Sequence, residues 1–195
     1  MPDNNANNTE YAFVSVPKQS NNQGLPNGKK NVVIIFEFDQ VTTYTRDEKQ
    51  VMVTALAFKQ GYTPIGLFVD ESSIDPGDAL EGESYGRGFT HKFNFNHPGD
   101  DVEFAEFKAN NANAPLGAIY IPCKPGSTIA KIYGTPCAPL HITKADEVDS
   151  SENNRQEVEM KTEMRTLPVG RINISDIPVT DNADINAYLG LAAGV

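Results

Sequence analysis

The segment from Gly86 to Lys108, GRGFTHKFNFNHPGDDVEFAEFK, constrains the fold more than any other stretch of the chain. Phe89, His91, Phe93 and Phe95 fall on alternate positions, with Thr90, Lys92 and Asn94 between them. That period of two predicts a half-buried strand, because successive side chains of a strand point to opposite faces. Pro98 and Gly99 then break the strand, and Asp100-Asp101 open a short helical run, Val102 to Lys108. Acidic residues suit a helix start, where the first amides lack partners and the dipole end is positive. No catalytic group is evident at the junction, so the segment reads as architecture.

Other stretches repeat the strand signal. Val32 to Phe36 is a continuous β-branched and aromatic run followed by Phe38, which predicts a central strand covered on both faces. A loop containing Thr45 to Lys49 follows, and then apolar segments at Val51–Phe58 and Pro64–Val69. Leu116–Ile121 and Ile129–Tyr133 read as strands joined by a Pro-Gly turn, CKPGST. Pro139–Lys144 is another, ending in the polar loop ADEVDSSENN. In Arg155–Leu167, Val158, Met160, Thr162, Met164 and Thr166 alternate with charged residues, and Gly170–Ser175 is a last short strand. Eight or nine strands with turns between them and one internal helix predict a mainly β chain. The expected fold is an antiparallel β-sandwich or barrel with one flanking short α-helix, a long hairpin loop and extended terminal arms.

The expected organisation is a polar N-terminal arm (1–30), a β-sandwich domain (31–175) and a C-terminal arm (176–195). The first arm is rich in Asn, Gln and Gly and reads as disordered, apart from a short strand-like run from Tyr11 to Val16. In the second, Asp181 or Asn182 is a candidate cap for one or two helical turns, and the apolar end LGLAAGV reads as a docking segment. The N-terminus lacks the basic start and apolar stretch of a secretion signal, and no apolar run approaches the ~20 residues of a membrane span. The expectation is therefore a protein made in a cytoplasm, with free thiols at its two cysteines.

With 26 acidic and 16 basic residues the net charge is −10, which argues against a nucleic-acid clamp. Six of the 26 acidic residues lie in DESSIDPGDALEGESYG, residues 70–86, which reads as the projecting tip of a long hairpin. Its carboxylates at Asp70, Glu71, Asp75, Asp78, Glu81 and Glu83 lack the spacing of an EF-hand, so a solvated or partner-facing loop is expected rather than a metal site. Gly86-Arg87-Gly88 lacks the third glycine and the following helix of a dinucleotide loop. Cys123 and Cys137 have no closely spaced ligand partner and read as buried thiols. His91 reads as a satisfied, half-buried side chain and His97 as a corner residue. With His141 they form no recognisable catalytic spacing, so neither a catalytic group nor a cofactor is expected.

The wording GESYGRGFTHKFNFNHPGDDVEFAEF, followed by a strand pair and DSSENNRQEVEMKTEMRT, resembles tail tube proteins of tailed bacteriophages, especially those infecting Bacteroidetes. The resemblance covers roughly residues 31–175. It implies a β-sandwich with one flanking helix and a long hairpin, six copies of which close into a ring. Rings stack, through the hairpin and terminal arms, into the virion tail tube that DNA leaves by, after assembly in the host cytoplasm. Type VI secretion tube proteins share the fold. Asp70, Glu71, Asp75, Pro76, Asp78, Glu81 and Glu83 would then belong to the inter-ring loop. Val102, Phe104 and Phe107 would lie on the helix between subunits, and Phe89–Phe95 and Val51–Phe58 on the lumen-facing sheet. The implied partners are copies of the chain itself and other tail or capsid proteins, with DNA passing through without specific binding.

Elementary physics points the same way. Open sheet edges favour pairing with further copies, a repeated heterologous contact closes into a ring when its rotation permits, and an acidic channel lets a polyanion slide. Two other roles fit the composition: another virion component, such as a tail terminator or head decoration protein, or a carbohydrate-binding or adhesin sandwich. The absence of Trp and the scatter of the Tyr residues weigh against the latter.

Overall fold

The computed structural model describes residues 28–123 and 126–191. The run from Tyr11 to Val16 and the final four residues, 192–195, lie outside the described residues. The chain is mainly β, with eleven strands linked in one mostly antiparallel hydrogen-bonded network that does not close into a barrel.

In order, the strands are β1 (Gly28–Glu37), β2 (Val41–Arg46), β3 (Met52–Phe58), β4 (Ile65–Phe68), β5 (Asp75–Glu81) and β6 (Gly88–Pro98). Helix α1 (Val102–Asn111) follows. Then come β7 (Leu116–Cys123), β8 (Ile129–Tyr133), β9 (Leu140–Asp149), β10 (Asn154–Thr162), β11 (Gly170–Asn173) and helix α2 (Ala183–Leu189). The network has two parts. One runs β4-β1-β7-β8-β11-β3-β2, and the other runs β9-β10-β6-β5. Only the pair Leu116–Leu140 joins β7 to β9, and β11–β3 is the one parallel pairing among the described strands.

The two parts enclose separate cores because β1 and β7 are buried on both faces. Val33 and Ile35 of β1, with Ala118 and Tyr120 of β7, pack with Phe93, Phe95, Val158 and Met160 from the four-stranded part. Val32, Ile34 and Phe36, with Ile119 and Ile121, pack on the other side with Val53, Ile132, Ile172 and Leu189. The expected central strand is thus a partition between cores. The alternation expected around Phe89–Phe95 holds, with His91, Phe93, Phe95 and His97 buried and Lys92 exposed. So does that of β10, where Val158, Met160 and Thr162 are buried, though Met164 beyond its end is 65% exposed.

Three expectations need correction. Residues 70–86 are not one long loop, since Asp75–Glu81 form β5 and pair along β6 from Asp75–Asn94 to Glu81–Gly88. Asp, Pro and Gly disfavour strands, but an edge strand tolerates them where one side needs no partner. The hairpin tip is therefore only Gly82–Arg87. A longer antiparallel hairpin is β9–β10, in which the expected loop Ala145–Asp149 continues the strand and pairs with Asn154–Val158. As far as Leu191 the C-terminal segment is packed on the sheets and not extended. Asn182 caps α2 by accepting the Ile185 amide at 3.0 Å, and Ile177 and Leu189 are buried in the second core.

Candidate functional site

The surfaces open to a partner are best found from the sheet borders. Among the described residues, β2 and β4 end the seven-stranded part, and neither has a strand on its outer side. β5 ends the four-stranded part, and β9 beyond Leu140 has only β10 beside it. Exposed apolar side chains sit on two of these borders, Phe68 on β4 at 49% and Leu80 on β5 at 57%. Tyr85 projects fully from the β5–β6 turn, at a positive φ of 66°. Unpaired edges carrying apolar residues are templates for pairing unless something covers them. Sequence pattern alone did not single out Phe68, Leu80 or Tyr85, because each looks like an ordinary strand or turn residue.

The acidic residues expected to form one loop are spread along roughly 20 Å of β5 and its flanks. Asp70 closes the turn before β5, its carboxylate accepting from the Ser72 amide at 2.9 Å and the Ser72 hydroxyl at 2.8 Å. Glu71 is exposed in the same turn. Asp75 lies on the outer face of β5 and pairs with Lys92 at 2.6 Å, and Glu81 follows on the same face. Pro76, Asp78 and Leu80 alternate onto the other face, where Asp78 meets the Val169 amide at 3.4 Å. Glu83 lies in the turn, its carbonyl accepting from the Gly86 amide at 3.0 Å. Among the described residues, no three His, Cys, Asp or Glu side chains converge to hold a metal.

Of the helix residues expected at a subunit boundary, two face this chain's own core. Phe104 is 3% exposed and stacks on the His97 ring at 4.3 Å, and Phe107 is 6% exposed beside it. The reason is steric: α1 must cover the end of β6, and these rings are what covers it. Val102, by contrast, is 69% exposed and open to a neighbour.

The outer face of the four-stranded part carries charges of both signs. Lys144 pairs with Glu157 and Asp146, both at 3.1 Å, and Arg155 with Glu157 at 2.8 Å. Arg155 and Lys144 hold the Glu157 carboxyl below the usual range, and Glu157 with Asp146 raises Lys144. Much of the acid on this face is thus paired with a cation.

His91 is 1% exposed, more buried than expected, and both ring nitrogens are used. Nδ1 accepts from the Gly134 amide at 3.0 Å, so Nε2 carries the hydrogen and donates to the Leu167 carbonyl at 2.9 Å. Burial lowers its pKa, partly opposed by the bond to Leu167. Such a group locks strands together. Cys123 and Cys137 are exposed free thiols, which corrects the expectation that they are buried. Cys123 ends β7, and Cys137 lies in the connector between β8 and β9. No helix among the described residues is long and apolar enough to cross a membrane.

No family model, curated protein or solved structure matches this chain.

Proposed function

We propose that the chain is a structural subunit that assembles with copies of itself, acting as a tail tube protein of a tailed bacteriophage, in rings stacked into a conduit for DNA. The observation that carries this reading is the open sheet network, with apolar Phe68 and Leu80 on borders that no described strand covers. A border of this kind is satisfied by a complementary edge on a second copy, and repetition of such a head-to-tail contact closes into a ring where its rotation permits. The long β9–β10 hairpin and exposed Val102 on α1 supply further surfaces for neighbours in the ring or in the next ring. The ring number and the identity of the stacked partner come from the family resemblance alone.

Sedimentation velocity across a concentration series, with negative-stain microscopy of the same samples, tests the proposal. Rings or tubes should form at high concentration and disperse when Leu80→Lys and Phe68→Lys place charges on the two borders. A single 21.3 kDa species at the highest soluble concentration would overturn it.

A further inference from the structure

Three of the chain's five arginines, Arg46, Arg87 and Arg165, line one pocket of about 620 Å³, and no carboxylate side chain lines it. In a chain of net charge −10 that concentration of cations is unexpected. Among the described residues, none of the three makes a salt bridge; the cations that do are Lys92, His97, Lys108, Lys144 and Arg155. Asp47, the carboxylate next to Arg46 in sequence, is turned onto the amides of Val51 and Met52 at 2.8 and 2.9 Å.

The pocket is built rather than incidental. Arg46 donates from one guanidinium nitrogen to the carbonyls of Pro168 at 2.8 Å and Gln50 at 2.9 Å, and from the other two to the Tyr44 hydroxyl at 3.2 and 3.3 Å. Arg165 lies across the β5–β6 turn and donates to the Gly86 carbonyl at 2.6 Å. Gly82 makes that possible: at φ +107° a Cβ there would stand 2.0 Å from the Arg165 guanidinium. The walls are tied to one another by the paired backbones of Phe89 and Thr166 and by the Thr135–Thr166 hydroxyl bond at 2.9 Å. Pro136 and Leu167 add apolar surface.

We propose that this pocket binds an oxyanion, a phosphate or carboxylate group carried on a small partly apolar body. Guanidinium groups form forked, charge-assisted bonds to planar or tetrahedral oxyanions; Arg87 and Arg165 supply such donors at the pocket wall, while Arg46, most of whose N–H groups are bonded within the chain, adds its charge. The volume is that of a small-molecule site. Two sources share this chemistry: a free phosphate-class anion, and an acidic side chain of a second copy. The inference stands on the pocket alone and not on the self-assembly proposed above.

Cys137 also lines the pocket and serves as a reporter, while exposed Cys123 lies outside it and serves as the control. In the Cys123→Ser protein, the rate of Cys137 alkylation by neutral iodoacetamide is followed against inorganic phosphate and phenyl phosphate, with sodium chloride matching the ionic strength. The expected result is saturable protection of Cys137, absent for Cys123 in the Cys137→Ser protein. Arg87→Ala, at an exposed position, should raise the half-protecting concentration at least about tenfold while leaving the melting temperature unchanged. Protection that appears with phosphate at dilute protein assigns a free anion. Protection that grows with protein concentration without phosphate, and is erased by Arg87→Ala, assigns a carboxylate of a second copy. No protection in either series, equal protection of both thiols, or protection unchanged in an Arg87→Ala/Arg165→Ala protein would overturn the proposal.

Discussion

Gly117→Ala should destabilise the protein by about 2–3 kcal/mol, although it adds one methyl group to a strand. Gly117 pairs with Phe36 across β7 and β1, and a Cβ there would stand 2.2, 2.5 and 2.8 Å from three carbons of the Phe36 ring. The ring has nowhere to retreat: Phe36 is 1% exposed, with Phe38 and Phe58 packed edge-on at centroid distances of 5.1 and 5.3 Å. Overpacking of this kind costs roughly 1–3 kcal/mol, occasionally more, and three contacts this short place the substitution near the upper end. The reduced freedom of Ala in the unfolded chain returns about 0.5–1 kcal/mol. For a chain of this length the net effect is a fall in melting temperature of about 5–10 °C. Urea denaturation followed by far-ultraviolet circular dichroism measures it. Phe36→Leu by itself leaves a partly filled gap, costing about 1–2 kcal/mol, but it also makes room for the new methyl. The double variant should therefore lose less than the sum of the two single losses. A Gly117→Ala protein within about 0.5 kcal/mol of the parent, or strict additivity with Phe36→Leu, would refute this account of the packing.

Two further outcomes separate roles that look alike on paper. Phe104→Ala should cost about 3–5 kcal/mol, because the ring it removes stacks on His97 inside the core. Val102→Ser on the same helix should change stability by less than about 0.5 kcal/mol yet weaken self-association in sedimentation, if α1 lies at a subunit boundary. His91 is held neutral in the fold by burial, so its folded pKa lies below the unfolded value of about 6.5. The unfolded chain then binds the proton first. Stability supplied by His91 is present above pH 6.5 and is lost as pH falls from there toward the folded pKa, at no more than about 1.4 kcal/mol per pH unit. Asp78, which favours the proton, and Arg46, which opposes it, are the charged groups that act on the ring. His91→Gln should flatten the stability profile between pH 7 and 5 relative to the parent, and identical slopes would count against the assignment.

What the sequence determined by itself was local. Alternation at Phe89–Phe95 and Val158–Thr162, the unbroken run Val32–Phe36 and the acidic start of α1 each depend on neighbours a few residues away. They specified the mainly β class, nine of the strands, the internal helix and the burial of the core rows. β2 and β5 were not legible, since the polar stretch Thr45–Lys49 overlaps the end of β2 with a loop pattern and DPGDALE contains residues that strands avoid. Each becomes a strand only because a long partner, β3 or β6, offers it hydrogen bonds. The same dependence on distant contacts decided which Phe side chains of α1 turn inward, which cysteines reach the surface and where the borders lie. It also brought Arg46, Arg87 and Arg165 together from β2, the β5–β6 turn and the segment after β10, positions up to 119 residues apart in a chain whose overall charge is acidic. Side-chain periodicity is written into adjacent residues, whereas pairing order and convergence are set by the burial of whole faces against one another, and no short window of sequence contains that information.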